Sequence, residues 1–428
     1  MSEKKRAAQA WTVVGLLFGV GFITDIIRVA MGVVAPTLMK LYNIQPKTMG
    51  YVLSGWNWAY TGAMLFAGPV VDRFGPWIIE GLGSGLWATA TLALPLLAST
   101  AVSFFLMRAL FGLGHSMRIP AQASAVSRWF GPEQRSTALG VCFSGGQVGL
   151  AVGAVASSFI LFRYGWPWVF YCIGAASLVL TLLWFTIFPD KKIGRAADVR
   201  PGRETGLAAV PLTTLLRYRK TWGIAIGQMG YLYAYQVFVN WLPGYLIIER
   251  KMSVLRTGVV ASLPFWVGMV GTLGGGWLGD YLIRRHGLSV TASRKTIIGV
   301  GMSLSAITVM AAAFTPQTWL AVTLLTLCMG CLRATTGAAN ALPLDLAPPR
   351  AVAALTSIQN FAGNVSGLLA PIITGYLLQA TGSFVAALVV AGGMVLLGAA
   401  SYLFIVGKVE PLKIAGEPGG AAVASTRS

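Results

Sequence analysis

Four arginines, Arg28, Arg108, Arg118 and Arg333, stand inside long apolar stretches where a charge is costly to place. On insertion scales each such charge costs about 2.5–3.5 kcal/mol, so its retention points to a function. Asp25 precedes Arg28 by three residues and shares its helical face; His115 follows Arg108 by seven, again on one face. A guanidinium presents a planar fork that binds both oxygens of a carboxylate. Four forks facing one nearby acid, Asp25, leave positive charge for an anion from outside the chain to match. Histidine as a residue type titrates near neutral pH, so His115, with Asp25, is a candidate for carrying a proton. Softer groups recur at helical spacing: Trp56, Asn57, Trp58 and Tyr60; Gln228, Tyr231 and Tyr235; Asn360 and Asn364. These can read hydroxyl groups on a bound molecule, or join helices to one another.

The rest of the chain must hold these groups inside a membrane. Of 428 residues, 56% are hydrophobic and 11% charged, with 32 Lys and Arg against 13 Asp and Glu. A soluble domain carries roughly 25% charged residues. The cations are too sparse for a nucleic-acid face, and four cysteines in this length build no disulfide framework. Cys328-x-x-Cys331 lacks a second pair and a nearby His, so no metal site is expected. Only two His and no cluster of paired acids argue against an enzyme, and no GxxxxGK[ST] loop argues against ATP-driven pumping. No cofactor is expected.

Uncharged stretches set the topology. Residues 48–71, 81–107, 136–162, 164–189, 221–248 and 257–279 each suffice for a span of about 20 residues. The run 296–332 divides at Pro316-Gln317, and 351–407 divides at Thr381-Gly382-Ser383. With a first span near 12–38 and a fourth near 102–127, the expectation is an all-α membrane protein of twelve spans. The first 11 residues read as a polar tail, not a cleaved signal. Lys and Arg gather on the side of the two termini, at Lys4, Lys5, Arg6, Arg73, Arg128, Arg135, Arg284, Arg285 and Arg350, and through the polar stretch 190–220. That bias predicts both termini in the cytoplasm. The expected division is 1–189, a linker at 190–220, 221–412, and a disordered tail at 413–428.

The two six-span halves repeat. Pro36 and Pro243 are offset by 207, Gly68 and Gly276 by 208, Gly149 and Gly363 by 214, and Arg135 and Arg350 by 215. Repeated halves suggest a transporter with its site between them, near mid-membrane.

The loop GPVVDRFGPW, with Gly68, Asp72, Arg73 and Gly75, resembles the signature of the major facilitator superfamily, although Pro76 and Trp77 replace its usual basic pair. More narrowly, RVAMGVVAP, GYVLSGWNWAY, RALFGLGHSMRIPA, RWFGPEQRSTALG, NWLPGYL, DLAPPR and IQNFAGNVSGLLAP, in that order, resemble the anion:cation symporter family. The resemblance implies two six-helix pseudo-repeats and transport of a small organic anion, a sugar acid or another carboxylate. It implies that Arg28 and Arg108 bind substrate or couple it, and that Tyr60, Gln228 and Asn360 contact substrate. Two departures bear on coupling: the family's acid directly before the first arginine is Ile27, and its acid seven residues after the second is His115. Proton symport through Asp25 or His115, anion exchange and uniport therefore all stay open, with a non-transporting membrane sensor or enzyme as the alternative from another class. Asp72, Arg73, Arg135 and Asp280 are the expected gating residues, with Asp72 meeting Arg135 or a helix N-terminus. The expected partners are the anion, a proton and the lipid bilayer. The expected form is a monomer in the cytoplasmic (inner) membrane.

Overall fold

The computed structural model describes residues 3–188, 212–348 and 351–412. The first half contains α1 (Glu3–Leu41), α2 (Pro46–Phe74), α3 (Pro76–Leu97), α4 (Ala101–His115), α5 (Arg118–Trp129), α6 (Pro132–Tyr164) and α7 (Trp166–Ile187). After the short α8 (Leu212–Leu215) come α9 (Arg219–Ile248), α10 (Val254–His286), α11 (Val290–Phe314) and α12 (Thr318–Ala334). The chain then forms α13 (Thr336–Leu346), α14 (Val352–Thr381) and α15 (Val385–Ala400), and continues into a π turn at Ser401–Ile405. No strand occurs among the described residues.

Counting α4–α5 and α12–α13 as one span each gives twelve spans in two groups of six. Eight are long and apolar enough to cross a membrane on composition alone. Spans 2, 3, 4 and 7 fall outside that set: span 4 is divided into helices of 15 and 12 residues, span 3 carries Glu80, and spans 2 and 7 are rich in Gly, Trp, Tyr, Asn or Gln. The helix of span 7, α9, is buried along most of its length and shows lipid little surface.

Two boundaries and two breaks differ from the sequence expectation. The polar start is helical from Glu3, so α1 is longer than 12–38. Span 3 runs 76–97, not 81–107, because Pro76 sits at the first helical position, where a missing N–H costs nothing. Span 4 starts at Ala101, where Thr100 and Ser103 form a reciprocal capping box. Spans 4 and 10 are each broken, at Ser116–Met117 and at Thr335. Most of the linker, Arg350 and the tail from 413 lie outside the described residues.

The repeat is visible in packing. Gly149 and Gly153 lie against Phe22 and Ile26 of α1; their counterparts Gly363 and Gly367 lie against Gln228 and Gln236 of α9. The halves meet through α1–α9, α2–α14 and α6–α10. Their closest approaches are on the side where α1 runs into α2. A Cβ on Gly32 would strike the backbone of Asn240, one on Gly50 that of Pro371, one on Gly375 that of Pro46, and one on Gly258 would strike Ser158. The seal continues inward to Asn57, which donates to the Asn364 carbonyl at 3.1 Å. Toward the termini side, Gly62, Gly68, Gly140, Gly274 and Gly276 have nothing within 4 Å of an added Cβ.

Candidate functional site

Arg28 is held by both halves. Its Nη1 donates to Asp25 Oδ1 at 2.6 Å, one helical turn away on α1. Its Nη2 donates to Gln236 Oε1 on α9 at 3.4 Å, and its Cζ lies 4.5 Å from the Trp56 ring centroid on α2. Nε has no hydrogen-bond partner. The second oxygen of Asp25 faces Gly146, where any Cβ would collide with it. Gly146 therefore admits a carboxylate, while Gly145 and Gly149 admit the α1 backbone at Phe18 and Phe22.

Arg108 on α4 is 2% exposed. Its Nη2 donates to the Leu53 carbonyl at 3.1 Å, while Nε and Nη1 have no partner. A buried donor left unsatisfied costs about 1–3 kcal/mol, so two on one guanidinium mark a group built to receive an acceptor. His115 ends α4 within an aromatic cage: Trp56 at 5.8 Å, Tyr60 at 5.3 Å and Phe111 at 5.7 Å between ring centroids. Its Nδ1 is also without a partner.

Arg118 opens α5 just past the break, beside Gly21. Its Nε and Nη1 are unpartnered, and its charge acts on Tyr60, His115 and Glu80. Glu80 is 2% exposed with one unpartnered oxygen, so Asp25 is not the sole acid in the interior. Sequence reasoning missed it by starting span 3 at residue 81. The Gly75-Pro76 start signal places Glu80 one turn inside.

The other half supplies a second cluster. Tyr231 and Tyr235 on α9 stack at 6.4 Å. Arg333 Nη1 donates to the Tyr231 hydroxyl at 2.7 Å, and that hydroxyl also pairs with Thr336 Oγ1 at 3.0 Å. Arg333 Cζ stands 5.4 Å from the Tyr235 ring centroid, and the charges of both Arg28 and Arg333 act on Tyr235. Arg333 thus points into the protein and does not snorkel to an interface.

Other candidates lie elsewhere. Gln228 accepts from the Tyr402 hydroxyl at 3.1 Å, which itself accepts from Gln359 at 3.3 Å, so it is joined to the last helix. Asn364 donates to the Asn360 carbonyl at 2.9 Å, and Asn364 meets Asn57 across the halves. Arg135 donates to the Phe130 and Ser127 carbonyls, each at 3.0 Å, and so caps the end of α5 instead of meeting Asp72. The Asp72 charge acts on Arg128, and Arg73 lies over Phe74. The Asp280 side chain lies outside the described residues. No group of three or more His, Cys, Asp or Glu that could hold a metal occurs among the described residues.

Twelve spans in two repeated halves, broken at matching places and meeting at buried arginines, describe a multi-pass membrane transporter. The family model for the Major Facilitator Superfamily matches residues 17–293 and 281–427, and the chain belongs to that family. It is therefore a transporter and not an enzyme. It is 30% identical to the D-galactonate transporter of Escherichia coli O6:H1, covering 91% of this chain and 94% of that one. It is also 30% identical to the "Probable galactarate/D-glucarate transporter GudP" of Bacillus subtilis (95% and 94% covered). To the hexuronate transporter of Bacillus subtilis it is 28% identical (95% and 96% covered). Among solved structures, a bacterial homolog of the human lysosomal transporter Spinster, inward-facing and unoccupied, superposes with a TM-score of 0.78 at 17% identity, covering 95% of this chain and 98% of that one.

Proposed function

We propose that this protein carries a small organic anion of the sugar-acid or related carboxylate class across the cytoplasmic membrane, by alternating access and in symport with a proton. The observation that carries the reading is Arg108: a buried guanidinium with two free donors, close enough to Arg28 for the two charges to interact. A carboxylate entering between them satisfies both. The names of the relatives, a galactonate, a galactarate/glucarate and a hexuronate transporter, support the same class of cargo. Tyr60, Tyr231 and Tyr235 line the path between the arginines and read the hydroxyls of the cargo. Gln228, Asn360 and Asn364 act one step removed, by holding the helices that carry those tyrosines.

Coupling falls to His115. A carboxylate bound beside His115 favours its protonated form, because opposite charges attract. Anion and proton then improve each other's binding, which is the linkage symport needs. Asp25 stays engaged with Arg28 until the anion competes for that arginine. Asp72, Arg73, Arg135 and Asp280 act at the termini side, where the halves must close after release. With the termini in the cytoplasm, the tight glycine contacts seal the outer side and the cavity opens inward. One monomer contains every part of this cycle.

Uptake into proteoliposomes with and without an imposed pH gradient tests the reading. The expected result is gradient-driven accumulation of a sugar acid and none of the matching neutral sugar. Counterflow without any response to the gradient would make the protein an exchanger or a uniporter.

A further inference from the structure

The second half carries a groove of about 470 Å³ away from the arginine site. One wall is a stripe of α11 that runs from Lys295 through Gly299 and Ser303 to Leu304. The other is Leu403, in the π turn that ends the last span. Gly299 forms the floor: a Cβ there would lie 3.1 Å from Leu403 Cδ2. Thr296, Val300 and Leu304 are exposed along it, and α11 is long and apolar enough to cross the membrane, so the groove faces lipid.

Its depth is that of one leaflet. The chain enters α11 from the termini side at Val290. At about 1.5 Å per residue, Lys295 lies about 7.5 Å inside that start. A bilayer of about 40–45 Å with a core of about 30 Å has headgroup layers of about that thickness. Lys295 therefore stands where headgroups meet hydrocarbon. From Lys295 to Leu304 the stripe descends about 13 Å, close to half the core.

The upper end is cationic and not neutralised. Lys295 Nζ donates to the Leu403 carbonyl at 2.6 Å, its one hydrogen bond among the described residues, so two of its three donors remain. Arg219 Nη2 donates to the next carbonyl, Phe404, at 3.2 Å. The two cations satisfy carbonyls that the end of a helix leaves without partners. Lys220 and Lys408 meet Glu410, and Arg294 meets Asp345. Both nearby acids are thus taken by other cations, and neither Lys295 nor Arg219 is paired with a carboxylate among the described residues. The unmatched charge calls for an anion, and the groove below it calls for a hydrocarbon chain. A zwitterionic headgroup would bring its own cation among these.

We propose that this groove binds one anionic phospholipid of the leaflet on the termini side, with its phosphate at Lys295, in a field to which Arg219 adds, and one acyl chain along the stripe to Leu304. The bound lipid joins α11 to the end of the last span.

The test is native mass spectrometry of the full-length protein, released from mixed micelles of phosphatidylglycerol and phosphatidylcholine with matched acyl chains. The wild type is expected to retain one phosphatidylglycerol about tenfold more tightly than phosphatidylcholine, since each cation near a membrane surface contributes about fivefold. Lys295→Gln can still donate to the Leu403 carbonyl and should lower that ratio about fivefold. Thr296→Trp fills the exposed side of the groove with every cation kept, and should reduce phosphatidylglycerol retention. Lys408→Gln removes a charge from the same face outside the groove, and should leave the ratio within about twofold. Equal retention of the two lipids by the wild type, an unchanged ratio in Lys295→Gln, or full retention in Thr296→Trp overturns the proposal. An equal loss in Lys408→Gln and Lys295→Gln also overturns it, because binding then follows surface charge alone.

Discussion

His115 and Arg108 show how much a single buried side chain can be asked to do. Both are buried on α4, and each has at least one nitrogen without a hydrogen-bond partner. His115→Gln preserves a polar group of similar reach but cannot titrate near neutral pH. In proteoliposomes it is expected to lose gradient-driven uptake while retaining counterflow; concentrative uptake that survives the change would move coupling to another acid. Arg108→Ala and Arg28→Ala are expected to weaken binding of a sugar acid at least a hundredfold, and the lysine variants to recover little, since one point charge does not replace a fork. Isothermal titration reads both. Much of this site was legible from spacing: Asp25 and Arg28 form the ion pair that an i, i+3 separation allows. Gln236 was not legible, because it meets Arg28 from 208 residues away in sequence. Glu80 was hidden by a boundary placed five residues late. Gln228 kept its helical stripe with Tyr231 and Tyr235, yet its side chain turns to Tyr402, a choice made by packing and not by period.

Breaks in spans 4 and 10 are the feature of the elements that hydrophobicity alone did not reveal. Apolar residues continue on both sides of the break in span 10, and span 4 passes into the more polar α5 with no run of loop residues, so neither break reads as the end of a span. Pro120, in the first turn of α5, was the local signal, because proline is tolerated there and not in a helix interior. Each break places an arginine beside it, Arg118 after one and Arg333 before the other. These helices are fixed by close contact. A Cβ on Gly112 of α4 would overlap the Trp56 carbonyl of α2. Gly112→Leu should therefore separate α4 from α2 and carry Arg108 and His115 away from Trp56. Overpacking of this kind costs about 1–3 kcal/mol. A lower melting temperature together with lost sugar-acid binding is expected, and a variant that melts and binds like the wild type would show that the α2–α4 contact does not set the site. Thr100→Ala, which removes one capping side chain far from the site, should cost about 1 kcal/mol and leave binding intact.

At the scale of the whole molecule, the duplication fixes the architecture and the site sits where the copies face one another. The twelve spans and the two halves were readable from charge spacing and from the paired offsets of Pro36, Gly68, Gly149 and Arg135. Which side of the molecule is closed was not readable, because it depends on close contacts of glycines with residues 100 or more positions away in sequence. The account requires those contacts to open during transport. On the same side the Lys47 backbone N–H donates to Gln379 Oε1 at 3.2 Å, between exposed residues of the two halves. Cysteines at Lys47 and Gln379, in a background where Cys142, Cys172, Cys328 and Cys331 are replaced, should be joined by a short cleavable thiol crosslinker that stops transport, and cleavage of the linker should restore it. Full transport in the crosslinked form would mean that the halves do not part there.

In the proposed function, the buried arginines bind a carboxylate and carry it across. The most direct measurement is counterflow of a labelled sugar acid into proteoliposomes preloaded with the unlabelled acid, at equal pH on both sides, for the wild type and Arg28→Ala. The account predicts a transient overshoot of label in the wild type and none in Arg28→Ala. No overshoot with any carboxylate in the wild type, or an equal overshoot in Arg28→Ala, would contradict it.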